Sequence, residues 1–295
     1  MQSNPHNPKS DSWFFSGMFF LGGFYLLLIV ALLAADMFYA ATRMSWDRIT
    51  AIFSDPGIQA SIKLTVVSCT LSALFSLIVA IPLGFLMSRS KFKGKSLIDA
   101  LIDVPIVLPP LVIGLSLLIL FSRLNLDAVF VWMFQWMLPE GVKAGVTYKV
   151  PAVILAQFTV ACAFAVRAMR ITFDDIDPRP ERVALTLGSS RSQAFWAVIL
   201  PQAWRGALTA YGLAWARSMG EFGPILVFAA AMEFRTEVLS TSVFLDISIG
   251  NIEGAVTISL LMVAIAMLVI MAIRFNWGAA IRSISGNEGR VPSND

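Results

Sequence analysis

The sequence predicts an all-α polytopic membrane protein with six transmembrane helices and both termini in the cytoplasm. Three observations carry this prediction: 57% of the 295 residues are hydrophobic, only 14% are charged, and the mean hydropathy is +0.76. Soluble domains usually contain about 25% charged residues. Because a helix needs about 20 residues to cross a hydrocarbon core of about 30 Å, charge-free stretches of that length are the candidate spans.

Six stretches of the chain meet this length requirement. The first is too long for the core of a signal peptide and lacks a convincing small-residue cleavage site, so we interpret it as a helix. The third is broken by Pro105, Pro109 and Pro110. The spans lie between Asp11 and Asp36, between Lys63 and Arg89, between Asp103 and Arg123, from Lys149 to Arg167, around residues 217–228, and between Glu253 and Arg274.

The orientation follows from the distribution of Lys and Arg, because cytoplasmic loops carry an excess of these residues. Loops two and four and the C-terminal tail are the basic ones, which places them and both termini inside. The net charge of +3 then reflects this inside bias and the attraction of anionic lipid headgroups, and no basic and aromatic pattern indicates binding of nucleic acid. The inside residues are Arg89, Lys91, Lys93 and Lys95, then Arg167, Arg170, Arg179, Arg182, Arg191 and Arg205, then Arg274, Arg282 and Arg290.

Residues that carry catalysis or bind metals are sparse. Cys69 and Cys162 fall within spans and His6 lies in a polar tail, so we expect neither a disulfide framework nor a metal site. The sequence RSKFKGKS ends like a phosphate-binding loop at 94–96, but Arg89 stands where that loop has its first glycine. We therefore expect no catalytic residue and no cofactor bound by this chain, and a membrane enzyme is the least supported function.

The fourth loop, residues 167–205, is too charged to lie in lipid, yet it carries helix signals. Pro180 suits the first turn of a helix, and Gly188 suits the left-handed residue that ends one. Ser190 followed by Gln193 fits a capping box, and we expect Pro201 to close this second helix. The sequence predicts a cytoplasmic helix-turn-helix, whose apolar side is covered either by the protein's own spans or by a partner.

The same loop resembles the cytoplasmic motif of ABC importer permeases: Glu-Ala-Ala, three residues, Gly, nine residues, Ile, one residue, Leu-Pro. The spacing from Gly188 to Leu200 and Pro201 is intact, and Val198 takes the place of Ile. The acidic residue is displaced by one position, to Glu181. The resemblance implies an ATPase-docking loop that contains Glu181, Arg182, Ala184, Gly188, Phe195, Leu200 and Pro201.

The stretches ARSMGEFGPILVF and LIDALIDVPIVLPPLVIGL look like the permeases of sulfate, molybdate and tungstate importers, over roughly residues 60–275. This resemblance implies an ABC importer permease fold in a prokaryotic plasma (inner) membrane, with transport of a tetrahedral oxyanion. It implies three kinds of partner: an ATPase that uses ATP and Mg, an external binding protein, and a second, identical or paralogous permease. The expected parts are a polar tail (1–12), a first span with its external loop (13–59), a permease core (60–275) and a cytoplasmic tail (276–295).

Two opposite charges interrupt the fifth span. Arg217 and Glu221 are four residues apart, so on a helix they lie on one face and can form an ion pair. A charge at bilayer depth costs at least about 2.5 kcal/mol and usually marks a functional site. Gly220, Gly223 and Pro224 predict a break in the helix beside them. The pair either positions a gate or locks two helices together. Two alternative functions stay open: an ABC importer permease for another small solute, or an ion-coupled secondary carrier in which this pair would be the coupling site.

Small hydroxyl residues form a stripe along the second span, within an arc of about 80° on a helix. Such a stripe either lines a watery path or lets helices pack closely. In the third span, Pro109, Pro110 and Gly114 predict a bend near that path. The stripe consists of Ser61, Thr65, Ser68, Ser72 and Ser76.

Overall fold

The computed structural model describes residues 8–43, 45–129 and 145–285 of the chain. Every regular element within these ranges is a helix, as the composition predicts. The helices are α1 (Pro8–Arg43), α2 (Trp46–Ser54), α3 (Pro56–Arg89), α4 (Lys95–Val107), α5 (Pro110–Arg123), α6 (Val150–Asp175), α7 (Arg179–Thr186), α8 (Arg191–Ala194), α9 (Leu200–Met219), α10 (Gly223–Phe228), α11 (Leu239–Ser248) and α12 (Ile252–Ser285).

Four of the described helices, α1, α3, α6 and α12, are long and apolar enough to cross a membrane. The pair α4 and α5 makes a fifth span if it is counted as one bent helix. The fifth predicted span corresponds to α9 and α10, which a break separates. The chain is therefore a multi-pass helical membrane protein.

The core is formed where α3, α6 and α9 pack together. Small side chains dominate this contact, and they let the helix backbones approach closely in a membrane, where van der Waals packing rather than the hydrophobic effect drives association. The fully buried alanines of this cluster are Ala73, Ala80, Ala161, Ala165, Ala203, Ala210 and Ala214.

Glycines bring helices even closer at two crossings. A Cβ atom on Gly84 of α3 would lie 2.8 Å from the Cβ of Met169 in α6. A Cβ atom on Gly114 of α5 would lie 2.8 Å from the Cα of Pro224 in α10. Real Cβ atoms do not approach other atoms this closely, so only glycine fits these two positions without a shift of the backbone.

The bend in the third span lies at Leu108 and Pro109, where α4 and α5 meet at 110°. The expectation that Pro105 also breaks this span is wrong, because Pro105 lies inside α4, and the Leu108 amide still donates to the Val104 carbonyl at 3.0 Å. Two consecutive prolines after Leu108 explain the position of the bend, because each disfavours the helical conformation of the residue before it.

Ion pairs attach α4 to α6. The Arg167 guanidinium contacts both carboxylate oxygens of Asp103, with Nε to Oδ1 at 2.6 Å and Nη2 to Oδ2 at 2.5 Å. Arg170 pairs with Asp99 one turn away. Two-point contacts between guanidinium and carboxylate fix orientation as well as distance. The first half of the bent span is therefore held beside the end of α6 from which loop 167–205 begins.

Candidate functional site

The first helix of loop 167–205 has the ends that the sequence predicts. Pro180 lies in the first turn of α7, and Gly188 adopts a φ of +92° beyond its end. The Gly188 amide donates to the Leu185 carbonyl at 3.1 Å, and the Ser189 amide donates to the Ala184 carbonyl at 3.0 Å. These two bonds make a Schellman motif, which needs a left-handed residue at Gly188.

The second helix begins with the predicted capping box. The Gln193 amide donates to Ser190 Oγ at 3.2 Å, and the Ser190 amide donates to Gln193 Oε1 at 2.8 Å. Each side chain thus accepts from a backbone N–H group that the helix leaves unpaired. The turn between α7 and α8 is therefore fixed on both sides by local hydrogen bonds.

The expectation that Pro201 closes the second helix is wrong. The chain continues through a π-helical turn at Phe195–Ile199 directly into α9, and Pro201 lies in the first turn of α9. The Leu200 amide donates to the Phe195 carbonyl, five residues back. This wider turn gives the proline ring room just before Pro201, so the helix survives a residue that normally interrupts it.

Phe195, the first residue of the π-helical turn, packs against the membrane helices. Its ring lies 4.9 Å from the ring of Phe85 in α3 and 6.4 Å from that of Phe173 in α6, measured between centroids. Phe85 and Phe173 also contact each other at 5.4 Å with an edge-to-face geometry. Aromatic pairs of this kind add about 0.5–1.5 kcal/mol to the burial of their surface. Phe195 is thus an internal anchor of the loop.

The outer side of α7 is not covered by the chain's own described helices. None of its eight residues is buried, and Leu187 beyond it is 81% exposed, with Val183 at 57%. Of the other residues in the predicted docking set, Arg182 and Pro201 are exposed, while Ala184 and Leu200 are half-buried. The alternative in which the loop simply packs on its own spans is therefore not what the structure describes for α7.

A Gly188→Val variant should lose uptake by roughly tenfold, because a β-branched residue in the left-handed region costs about 1–2 kcal/mol. No atom lies within 4 Å of a Cβ built on Gly188, so the loss would come from the backbone alone. Gly188→Asn is the matched control, since asparagine tolerates this region. Transport assays on both variants test this, and equal activity of Val and Asn would contradict it.

The helix containing Arg217 breaks where the sequence predicts. α9 ends at Met219, and α10 starts at Gly223 with Pro224 in its first turn. Arg217 Nη1 lies 2.6 Å from Glu221 Oε1, across the break. The two side chains differ sharply in burial, with Arg217 32% exposed and Glu221 1% exposed. The pair exists, and whether it acts as a gate or as a lock stays a prediction.

Further contacts hold the two members of the pair. The Arg217 guanidinium lies 5.6 Å above the ring of Phe164 in α6, within the range of a cation–π interaction. Ser240 Oγ donates to the Glu221 carbonyl at 2.7 Å. Neither Phe164 nor Ser240 stood out in the sequence, because no pattern connects residues so far apart along the chain.

The breaks in the third and fifth spans meet in space. A Cβ on Gly223 would lie 3.1 Å from the Cβ of Pro110, beside the Gly114 contact with Pro224. Gly220, by contrast, has only ordinary contacts, the nearest at 3.8 Å. The sequence indicated two separate bends, and the structure joins them into one site.

The hydroxyl stripe of α3 faces other helices of the same chain. Ser72 Oγ donates to the Ile154 carbonyl of α6 at 2.7 Å, and Thr65 Oγ1 accepts from the Leu239 amide of α11 at 2.9 Å. At Thr65 and Ser72 these contacts favour close packing over the alternative of a watery path, because the two hydroxyls bond backbone groups of neighbouring helices, whereas Ser76 Oγ has no hydrogen-bond partner among the described residues. The stripe members Ser61, Thr65, Ser68, Ser72 and Ser76 are each at most 1% exposed.

Comparison with known proteins places the chain in a family. Residues 80–282 match the family described as binding-protein-dependent transport system inner membrane component. The sulfate transport system permease protein CysT of Escherichia coli (strain K12) is 28% identical over 249 residues, which cover 84% of this chain and 87% of that protein. The molybdenum transport system permease protein ModB of Mycobacterium bovis is 30% identical over 244 residues, covering 83% and 89%. The molybdate/tungstate transport system permease protein WtpB of Pyrococcus abyssi is 32% identical over 207 residues, covering 70% and 75%.

A solved structure shares the fold. A chain from the crystal structure of a bacterial alginate ABC transporter in complex with an alginate-bound periplasmic protein superposes with a TM-score of 0.68. The match covers 90% of this chain and 93% of that chain at 16% sequence identity, which shows similarity of fold alone. The family match over residues 80–282 spans most of the sequence, and this chain therefore belongs to the inner membrane components of binding-protein-dependent transport systems.

Proposed function

We propose that this chain is the membrane-spanning permease subunit of an ATP-driven ABC importer for a tetrahedral oxyanion: molybdate, tungstate or sulfate. The relatives named for sulfate, molybdenum and molybdate/tungstate transport support the substrate class. The chain is a transport subunit and not an enzyme, so ATP hydrolysis belongs to a partner. The single structural observation behind the proposal is the exposed apolar side of α7 at Val183 and Leu187, in a loop of defined shape.

In this proposal an ATPase subunit binds α7 and the turn at Gly188. Apolar side chains 57% and 81% exposed, on a helix too short to span a bilayer, are typical of a surface that a protein partner covers. ATP and Mg are then bound by that partner, and this chain holds no cofactor. Movement of α7 reaches the membrane helices through the π-helical turn, because that turn is continuous with α9.

The proposed topology counts α9 and α10 as one broken span and α4 and α5 as one bent span, which gives six spans. Both termini and loop 167–205 then lie in the cytoplasm, which the distribution of Lys and Arg supports. An external binding protein delivers the anion to the opposite side. A second permease subunit, identical or paralogous, completes the pathway.

Arg217 is the candidate for contact with the translocated anion. Its Cα lies about 18 Å along α9 from Arg205, where the cytoplasmic loop ends, at a rise of about 1.5 Å per residue, so it is well inside a hydrocarbon core of about 30 Å. Its guanidinium is partly exposed although its partner Glu221 is buried. An exposed cation at that depth is stable only beside water, an anion or another protein. This arrangement supports a position on the pathway, next to the joined breaks.

Transport by the reconstituted protein tests the proposal. We would place the permease with its ATPase in liposomes, add the binding protein outside, and measure uptake of labelled molybdate and sulfate. ATP-dependent uptake that unlabelled tungstate inhibits, and that amino acids do not, is the expected result. Uptake driven by a proton or sodium gradient without the ATPase would instead indicate a secondary carrier.

Cysteine labelling tests the topology. In a variant without Cys69 and Cys162, single cysteines replacing Lys93, Ser189 or Ser283 should react with an impermeant maleimide only after the cytoplasmic side is opened. A cysteine replacing Lys143, which lies outside the described residues, should react from the outside. Labelling of the Ser189 position in intact cells would contradict the proposed orientation.

A further inference from the structure

One guanidinium joins three elements at the cytoplasmic end of the core. Arg89 is the last residue of α3, and its Nη2 donates to the Ile176 carbonyl just beyond α6 at 2.7 Å. Its Nε lies 3.6 Å from Glu181 Oε2 in α7. The side chains of Arg89 and Glu181 are only 19% and 20% exposed. Partly buried ion pairs are less screened by solvent and salt than surface pairs.

The contact between Arg89 and Glu181 is close without being a hydrogen bond. Arg89 Nε is buried and has no hydrogen-bond partner among the described residues. Charge-assisted hydrogen bonds between nitrogen and oxygen span about 2.7–2.9 Å, so an approach of less than about 1 Å would complete one. A buried donor without a partner is unfavourable, and α7 therefore gains stability by moving toward α3.

Apart from its route through the π-helical turn, α7 has few polar contacts with the membrane helices in the part of the chain that the structure describes. α7 packs against α8 and the π-helical turn, and it exposes most of its surface. Glu181 is its only acidic residue, and Arg179 pairs with Asp177 at 3.8 Å on the surface, where exposed pairs contribute little. Among the described residues, the ion pair between Arg89 and Glu181 is thus the direct polar contact between α7 and α3.

We propose that Arg89 and Glu181 are positioning residues that form a strut between the docking helix α7 and the end of α3, and that the strut transmits movement of α7 to the membrane core. This inference rests on the proposed docking of an ATPase to α7. When the ATPase presses α7 inward, the Nε to Oε2 gap closes, and α3 moves with α7. In this chain Glu181 therefore acts within the permease and does not contact the ATPase.

Ser88 provides a matched control next to Arg89. Its Oγ donates to Asp174 Oδ1 at 2.5 Å, so it links α3 to α6 but does not touch α7. Loss of this more exposed bond removes a neighbouring connection between α3 and α6 and leaves the strut intact. Ser88→Ala should therefore keep the ratio of ATP hydrolysed to anion transported within about twofold of the wild type, because a single hydrogen bond contributes modestly.

The test measures ATP hydrolysis and uptake in the reconstituted importer for Glu181→Gln, Arg89→Gln and the double variant. Each single variant should keep the ATPase bound through purification, yet raise the ATP consumed per anion by about fivefold, because one half of the ion pair is missing. The double variant should be no worse than Arg89→Gln alone, since the two residues act through one contact.

Two outcomes would overturn the strut. If the effects of Glu181→Gln and Arg89→Gln multiply in the double variant, the residues act independently. If Glu181→Gln releases the ATPase even when Arg89 is replaced, Glu181 contacts the ATPase directly. Failure of the proposed function is distinct, because then the wild-type protein itself would neither retain an ATPase nor show ATP-dependent uptake.

Discussion

An Arg217→Gln variant should yield far less folded protein than a Glu221→Gln variant, although each removes one half of the same ion pair. Glu221 is 1% exposed, so loss of Arg217 leaves a carboxylate buried without its counter-charge, which costs about 3–5 kcal/mol. Arg217 is 32% exposed, so after loss of Glu221 its charge can still reach water or Phe164. Thermal unfolding of both variants in the same detergent measures the difference.

A double variant with Gln at both positions controls for this prediction. It should recover much of the stability lost in Arg217→Gln, because no buried charge remains. If the pair only locks the helices, uptake should recover along with stability. Recovery of stability without uptake is expected if Arg217 contacts the anion or a gate. Equal instability of the two single variants would contradict the assignment of Glu221 as the buried partner.

Gly114→Ala should disrupt the site where the two broken spans meet. The added methyl group would lie 2.8 Å from the Cα and 2.9 Å from the carbonyl oxygen of Pro224. These are backbone atoms, so the crowding is relieved only if α5 and α10 move apart. Overpacking of this kind costs about 1–3 kcal/mol, and we expect uptake to fall by at least about tenfold.

Gly212→Ala is the control for the effect of alanine itself. Gly212 also lies inside a helix, α9, but its nearest neighbour would be Ile273 Cδ1 at 3.6 Å, an ordinary contact. Alanine favours helix by about 1 kcal/mol over glycine, so this variant should be at least as stable as the wild type. Melting temperatures and uptake rates of the two variants check both expectations. Wild-type uptake by Gly114→Ala would show that α5 and α10 separate at no cost.

Local features of the chain were predictable because they depend on neighbouring residues. The apolar stretches gave the positions of α1, α3, α6 and α12, since composition alone decides which segments suit a bilayer. The Schellman turn at Gly188 and the capping box at Ser190 followed from two or three nearby side chains. The break between Arg217 and Pro224 followed from its glycines, and the spacing of the loop motif led to the family that the comparisons show.

The same local rules failed at Pro105 and Pro201. Each proline was expected to end a helix, and each lies within a helical stretch in the structure. Pro201 has no backbone N–H group to donate, and the π-helical turn directly before it accommodates this lack. Phe195 in that turn packs on Phe85 and Phe173. Packing with residues distant in sequence thus outweighed the local preference of proline.

What the sequence by itself determined is the position of the long apolar helices, the shape of the turn at Gly188 and Ser190, and the family. Only the tertiary structure decided which of those features meet. It joined Gly114 to Pro224 and Arg89 to Glu181, and it turned the hydroxyl stripe of α3 toward α6. The physical reason is that close contacts between helices depend on the crossing of whole backbones, and the periodicity of one helix specifies a face without specifying its partner.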